Sequence, residues 1–231
     1  MAGNRQEARK RSVDNLQRLY TVAISLAVTE SLRRVITDPS GMVARPETQQ
    51  VLMFLCLIST VVPFYHGANR YLDATYVTGE RTAKDAALMI DFLFLFIEGL
   101  AFFGLALLIN RPEPFFTTLA ALLIFDAIWI GVTNLTAKSA ADKMLDYRSW
   151  ATINILAAFL IAMLTWSNVI DPLFWKATAA RDVILTLIVI LRTIYDYHKV
   201  WNFYFPEQET GNPPDLALIP AAPITTTDKP G

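Results

Sequence analysis

The chain has 231 residues, of which 54% are hydrophobic and 18% are charged, and its formal net charge is −1. Soluble domains are about 45–50% apolar and about one quarter charged, so this composition argues against a soluble domain and favours several membrane spans. A net charge near zero excludes the strong basic excess that nucleic-acid binding requires. The single cysteine, Cys56, excludes an intramolecular disulfide.

The first candidate span, residues 19–36, follows a polar, arginine-rich segment at residues 1–18, which predicts a cytoplasmic lead-in. This span is the weakest because its apolar core ends before Glu30. Glu30 precedes Arg33 and Arg34 by three and four residues, the spacing at which side chains on a helix pair. We interpret these three residues as an outer helix end.

The second candidate span runs through residues 51–65, and Pro63 near its end is expected to kink the helix. The helix is expected to continue past this run, because four polar residues follow at spacings that place them on one helical face. These residues are His66, Asn69, Arg70 and Asp73.

The third and fourth candidate spans, residues 86–110 and 114–136, are joined by a short proline-containing turn. Each exceeds the roughly 20 apolar residues that a helix needs to cross a bilayer. Asp91 shares a helical face with Glu98, because seven residues make almost two turns. Three acids lie inside these two spans: Asp91, Glu98 and Asp126.

Glu98 and Asp126 are each fourteen residues from Pro112 in the turn, so their carboxyls reach a similar depth in an antiparallel helical hairpin. A carboxylate at mid-membrane costs about 3 kcal/mol and therefore faces protein or water rather than lipid. Two carboxyls at one depth resist both being ionised, so one keeps its proton or a cation lies between them. This arrangement suits proton relay or cation coordination. The alternative is that both are protonated and join helices through hydrogen bonds.

The fifth candidate span, residues 150–170, is the least charged and carries Asn154 near one end. The sixth, residues 177–201, ends among tyrosine, tryptophan and phenylalanine residues, which is typical of the headgroup level. Residues 206–231 contain six of the twelve prolines and are expected to form a disordered tail.

The fold prediction is all-α: a polytopic transmembrane helical bundle of about six spans within residues 19–205, with both the N- and the C-terminus cytoplasmic. In this topology thirteen Lys and Arg residues lie inside and six lie outside. Without the first span the split is eleven against eight. The positive-inside rule favours the sharper bias, and the predicted location is the cell membrane.

Residue counting along these spans sorts the polar side chains into two groups. A polar seam is predicted to run inward from mid-membrane: Glu98, Asp126, Asp91, Asn134, Asn154 and Arg192. A cytoplasmic-mouth cluster is predicted at the helix ends: His66, Asn69, Arg70, Asp73, Asp196 and His198. Three interpretations of Arg192 stay open, because it could extend to the headgroups, pair with Asp196 or reach Asp91.

The leading functional hypothesis is transport or conduction of protons or small cations through the polar seam. The first alternative is a non-catalytic membrane protein or effector subunit whose cytoplasmic face binds a protein partner, with the buried acids purely structural. A homo-oligomer is compatible with either hypothesis, because so small a bundle could enclose a seam alone or share one between copies. The lipid bilayer is the expected partner in every case.

The second alternative is a membrane-embedded, metal-dependent enzyme that uses His66 and His198 with neighbouring acids at the cytoplasmic face. Neither the HExxH motif nor another familiar metal-ligand spacing occurs in the sequence. Walker loops, GxGxxG and GxSxG motifs and paired CxxC motifs do not occur either. We therefore expect no catalytic residues, no metal site and no cofactor.

Overall fold

The computed structural model describes residues 2–38, 40–78, 85–136, 147–166 and 178–205. Every secondary-structure element in these ranges is a helix, apart from one isolated antiparallel bridge between Thr37 and Val43, so the all-α prediction is confirmed. The predicted tail at residues 206–231 lies outside the described residues. The helices are α1 (Ala2–Ile36), α2 (Thr48–Leu72), α3 (Asp85–Leu107), α4 (Pro112–Thr136), α5 (Tyr147–Trp166), α6 (Thr178–Lys199) and α7 (Trp201–Tyr204).

Four of the described helices are long and apolar enough to cross a membrane, and they coincide with the second to fifth predicted spans. The first of the four includes a π-helical turn, Asp73–Val77, that continues α2. Large apolar side chains on α3 point outward from the bundle, as the lipid-facing side of a membrane helix requires. These side chains are Met89, Phe92, Leu93, Phe96 and Leu100. The four spanning segments are Thr48–Val77, Ala86–Leu107, Pro112–Thr133 and Ser149–Trp166.

Helix α1 runs unbroken from Ala2 to Ile36, so the polar lead-in at residues 1–18 and the first predicted span belong to one helix. Helix α1 packs against α3 at Gly99, where an added Cβ atom would lie 2.9 Å from the Cβ of Ala23. Only a glycine permits this approach, as small residues commonly do where membrane helices meet. The close approach brings α1 next to the residue that precedes Gly99, the predicted seam acid Glu98.

Pro63 lies inside α2, as the sequence indicates. Proline has no backbone N–H, so the carbonyl of Ser59, four residues earlier, loses its donor within the helix. The hydroxyl of Thr193 on α6 donates to that carbonyl at 2.6 Å. The proline therefore fixes where α6 joins α2, one residue away from Arg192.

Helix α6 has its polar side turned inward and its apolar side turned outward, the reverse of a helix on a soluble protein. This pattern explains why α6 is not among the four helices that are apolar enough to cross a membrane, because its buried polar residues lower its mean hydropathy. The buried polar residues are Asp182, Thr186, Arg192 and Asp196. The exposed apolar residues are Val183, Ile184, Leu187, Leu191 and Ile194.

Candidate functional site

Glu98 on α3 is buried between α3 and α1, with 2% of its surface exposed. The hydroxyl of Tyr20 on α1 donates a hydrogen bond to Glu98 Oε1. The Tyr20 ring stacks on Tyr65 of α2, with ring centroids 5.9 Å apart, and the Tyr65 hydroxyl is 2.9 Å from that of Thr21. The carboxyl of Glu98 is therefore held by the approach of α1 that Gly99 permits.

Asp126, Asn154 and Arg192 form a hydrogen-bonded chain across α4, α5 and α6, and all three are buried. The Asn154 amide nitrogen donates to Asp126 Oδ2. The Asn154 carbonyl oxygen accepts from Arg192 Nε at 2.9 Å and from Nη2 at 2.5 Å. One asparagine thus uses its donor on the acid and its acceptor on the guanidinium, which fixes the orientation of the amide.

Two members of this hydrogen-bonded set, Asp126 and Arg192, also interact electrostatically with further buried acids. Glu98 interacts with both Asp126 and Arg192, and Asp126 interacts with Asp196. We name Glu98, Asp126, Arg192 and Asp196 the buried charge group. A single guanidinium balances one carboxylate, and each further ionised carboxylate would be an uncompensated charge away from water. The composition of this group therefore favours acids that hold protons.

Arg192 adopts none of the three positions considered from the sequence. It is 4% exposed, so it does not extend to the headgroups, and its hydrogen-bond partner is Asn154 rather than Asp91 or Asp196. The guanidinium carbon lies 5.0 Å from the ring centroid of Phe64 on α2. Arg192 takes this position because it lies on the inward side of α6, where the side-chain carbonyl of Asn154 on α5 faces it.

Asp91 is buried and accepts hydrogen bonds from the Tyr76 hydroxyl at 2.6 Å and from Trp129 Nε1 at 3.0 Å. Tyr76 belongs to the π-helical turn after α2, and Trp129 belongs to α4. Seven residues of helix separate Asp91 from Glu98 by about 10 Å along α3. Asp91 therefore joins α3 to α4 and to the π-helical turn after α2. Asn134, the remaining predicted seam residue, lies in α4, but its side chain is outside the described part of the structure.

The predicted cytoplasmic-mouth cluster divides into separate contacts. Asp196, in the last turn of α6, is fully buried, and the short helix α7 covers it. The Tyr204 hydroxyl on α7 donates to Asp196 Oδ2 at 2.8 Å, and the Tyr204 ring lies 4.7 Å from the half-buried ring of His66. His198 is exposed on the outer side of α6. The structure thus joins His66 to Asp196 through one tyrosine.

Three other members of this cluster, Asn69, Arg70 and Asp73, make their contacts near the end of α2. Arg70 Nε donates to the Phe203 carbonyl at 3.2 Å, and Arg70 Nη1 lies 3.5 Å from Asp73 Oδ2. The Asn69 amide nitrogen donates to the Tyr65 carbonyl at 2.8 Å. Asn69 and Arg70 therefore bond to backbone carbonyls, which indicates a positioning role for the end of α2.

Tyrosines are the residues that the sequence argument missed. Glu98, Asp91 and Asp196 each accept a hydrogen bond from a tyrosine hydroxyl. Tyr204 is one of the aromatic residues that the sequence places at the headgroup level, and the structure buries it against Asp196. Asp182 was also missed; it is buried on α6 and accepts a hydrogen bond from Gln49 Nε2 at 2.9 Å. No spacing in the sequence connects these donors to their acids, because the pairs come from different helices.

Within the five described ranges, His, Cys, Asp and Glu side chains do not come together in groups of three or more that could hold a metal ion.

Comparison with known proteins finds no matching family model, no matching curated protein and no matching solved structure.

Proposed function

We propose that this protein transfers protons across the membrane, with the buried charge group as the central proton-holding site. The observation that carries the proposal is the burial of three carboxyls, those of Glu98, Asp126 and Asp196, around the guanidinium of Arg192. Buried ionisable residues inside a membrane bundle are expensive and are typical of proton relays. Carboxyls are the groups here that gain and lose protons at ordinary pH.

Arg192 favours protons over metal cations as the transported species. Its guanidinium does not lose its proton in proteins, so it is a permanent positive charge at the centre of the site. A metal cation that passed beside it would be repelled at close range in an apolar environment. A proton moves as part of a neutral carboxylic acid and avoids this repulsion. Asn154 and Arg192 accordingly position the acids and do not carry protons themselves.

The proposal includes six spans with both termini cytoplasmic and a location in the cell membrane. The inward polar side and outward apolar side of α6 support a sixth span, because lipid would cover its exposed leucines and isoleucines. Helix α1 exposes Leu19, Val22 and Leu26 in the same way, which supports the first span. The proposed orientation is supported by the distribution of basic residues, thirteen on the inner side against six outside.

Proton flux into proteoliposomes under an imposed pH gradient tests the proposal. Glu98→Gln and Asp126→Asn keep the shape of each side chain but remove its titration. A missing proton site that adds about 1.4 kcal/mol to the barrier slows flux about tenfold, and we expect at least this loss in each variant. Glu113→Gln, an exposed acid on the same helix as Asp126, is the matched control and should keep wild-type flux.

Unchanged flux in both variants would exclude the proton pathway. No flux from correctly inserted wild-type protein would turn the buried acids into structural hydrogen-bonding groups and direct attention to partners of the cytoplasmic face.

A further inference from the structure

Two buried polar atoms on α6 lack a hydrogen-bond partner among the described residues: Arg192 Nη1 and Asp196 Oδ1. One is a donor on a permanent cation and the other is an acceptor on a carboxyl. A buried donor or acceptor left without a partner destabilises the fold, and more so when the group is charged. The residues are four apart on one helix, the spacing at which side chains can meet.

The guanidinium of Arg192 lies among several acids but is hydrogen-bonded to a neutral amide. Asn154 on α5 takes two of its five N–H donors. The groups that face it or act on it electrostatically come from every neighbouring element: Phe64 on α2, Glu98 on α3, Asp126 on α4, Asp196 on α6 and Tyr204 on α7. Arg192 is thus held beside Asp126 through Asn154. Its Nη1 nitrogen, which has no hydrogen-bond partner among the described residues, can turn toward Asp196.

We propose that Arg192 exchanges between Asn154, beside Asp126, and the free oxygen of Asp196, and that Asp196 with Tyr204 is the proton-holding site nearest the α7 end. This inference rests on the proposed proton transfer. The guanidinium stays on Asn154 while Asp126 is the ionised acid, and it turns to Asp196 when Asp196 is ionised. One O–H bond breaks on one carboxyl and one forms on the other, while Arg192 keeps all its protons.

Tyr204 gives this second site a connection toward the surface. Its hydroxyl donates to the other oxygen of Asp196, so Asp196 Oδ1 is left for Arg192. Its ring packs on His66, which is half-buried, and His66 Nδ1 lies 3.4 Å from the Tyr197 hydroxyl. Asp196, Tyr204 and the half-buried His66 are thus in consecutive contact, from the buried charge group to the partly exposed His66 on α2.

Nitrogen-15 NMR of arginine-labelled protein in lipid bilayers tests the exchange directly. The Arg192 side-chain signal is identified by its loss in Arg192→Lys. We expect this signal to change with pH in the wild type and to lose that change in Asp196→Asn, because the second partner no longer ionises. Glu113→Gln is the matched control and should keep the wild-type response. An Arg192 signal that does not vary with pH, or that still varies in Asp196→Asn, would overturn the inference.

Two further measurements keep the outcomes separate. If Asp196→Asn does not fold, Tyr204→Phe removes one donor to Asp196 and should move the pH at which the Arg192 signal changes; an unmoved transition contradicts the inference. Proton flux is measured in the same bilayers. An Arg192 signal that responds to pH without any flux supports the exchange and rejects transport, whereas flux with an invariant signal supports transport and rejects the exchange.

Discussion

The Thr193 hydroxyl donates to the backbone carbonyl of Ser59 at 2.6 Å, and Pro63 is the reason that this carbonyl is available. We expect Thr193→Val to destabilise the protein by about 1 kcal/mol, because it leaves a half-buried carbonyl without a donor. Unfolding of purified protein in mixed micelles, followed by circular dichroism, measures this change.

The partner variant Pro63→Ala separates this explanation from simple packing loss. Alanine restores the N–H that bonds to the Ser59 carbonyl, so Thr193→Val should cost less in the Pro63→Ala background than in the wild type. Equal costs in the two backgrounds would show that the hydroxyl does not compensate for the proline.

Gly99 is the second position where a single atom decides the packing. We expect Gly99→Ala to destabilise the protein by about 1–3 kcal/mol, because its Cβ would lie 2.9 Å from the Cβ of Ala23 and push α1 away from α3. The shift should also loosen the hydrogen bond between Tyr20 and Glu98. The same unfolding assay measures the stability, and proton flux reports on Glu98.

Gly104 provides the control on the same helix, since an added Cβ there meets no atom within 4 Å. Gly104→Ala should be neutral or slightly stabilising. Ala23→Gly should restore stability to Gly99→Ala by removing the opposing atom. A failure of that rescue would mean that the close approach of the two helices is not what Gly99 provides.

The sequence predicted the existence and type of most elements because apolar run length is a local property. The same counting, fourteen residues on each side of Pro112, indicated that Glu98 and Asp126 share a depth, and the two carboxyls do interact. The hydrogen-bond partners could not be predicted in this way. Tyr20 and Glu98 are 78 residues apart, and which tyrosine meets which acid depends on how the helices rotate and pack.

The inward polar side of α6 shows a different limit. Its charges were interpreted as a sign of a helix end, since charged residues in a membrane helix usually lie near the headgroups. Packing adds what this interpretation lacks, because Arg192 and Asp196 are buried where α5 and α7 contact α6. Hydropathy averages over both sides of a helix and cannot separate an inward polar side from an exposed one.

The loop between α1 and α2 should lose its structure in acid. The Ser40 side chain and then the Met42 amide hold the pKa of Asp38 below its ordinary value of 3.8 by hydrogen bonding to the carboxylate. A lowered pKa means that the ionised form stabilises the folded loop. This contribution is complete above the unfolded pKa and is lost as the pH falls through the lower, folded value.

Hydrogen exchange at the Met42 and Ala44 amides reports on this loop. Both amides should lose protection at acid pH in the wild type. In Asp38→Asn their protection should not depend on pH. Gly41, whose backbone φ is 83°, also belongs to this turn and is therefore kept as glycine in both proteins. Acid-dependent protection that persists in Asp38→Asn would assign the effect to another group.

The charge balance at Arg192 leads to the most demanding prediction. Arg192→Met removes the cation that acts on Glu98, Asp126 and Asp196, so every ionised carboxyl among them becomes an unpaired buried charge. Removing one partner of a buried ionic group costs about 3–5 kcal/mol, and we expect a loss of this size in the unfolding assay. If the cost comes from charge, Asp126→Asn should recover part of it in the double variant, because one acid no longer needs a counter-charge. If the cost comes only from lost packing against Phe64 and lost hydrogen bonds to Asn154, the destabilising effects of the two substitutions should add. Additive effects would show that the buried charge group does not act as one electrostatic unit.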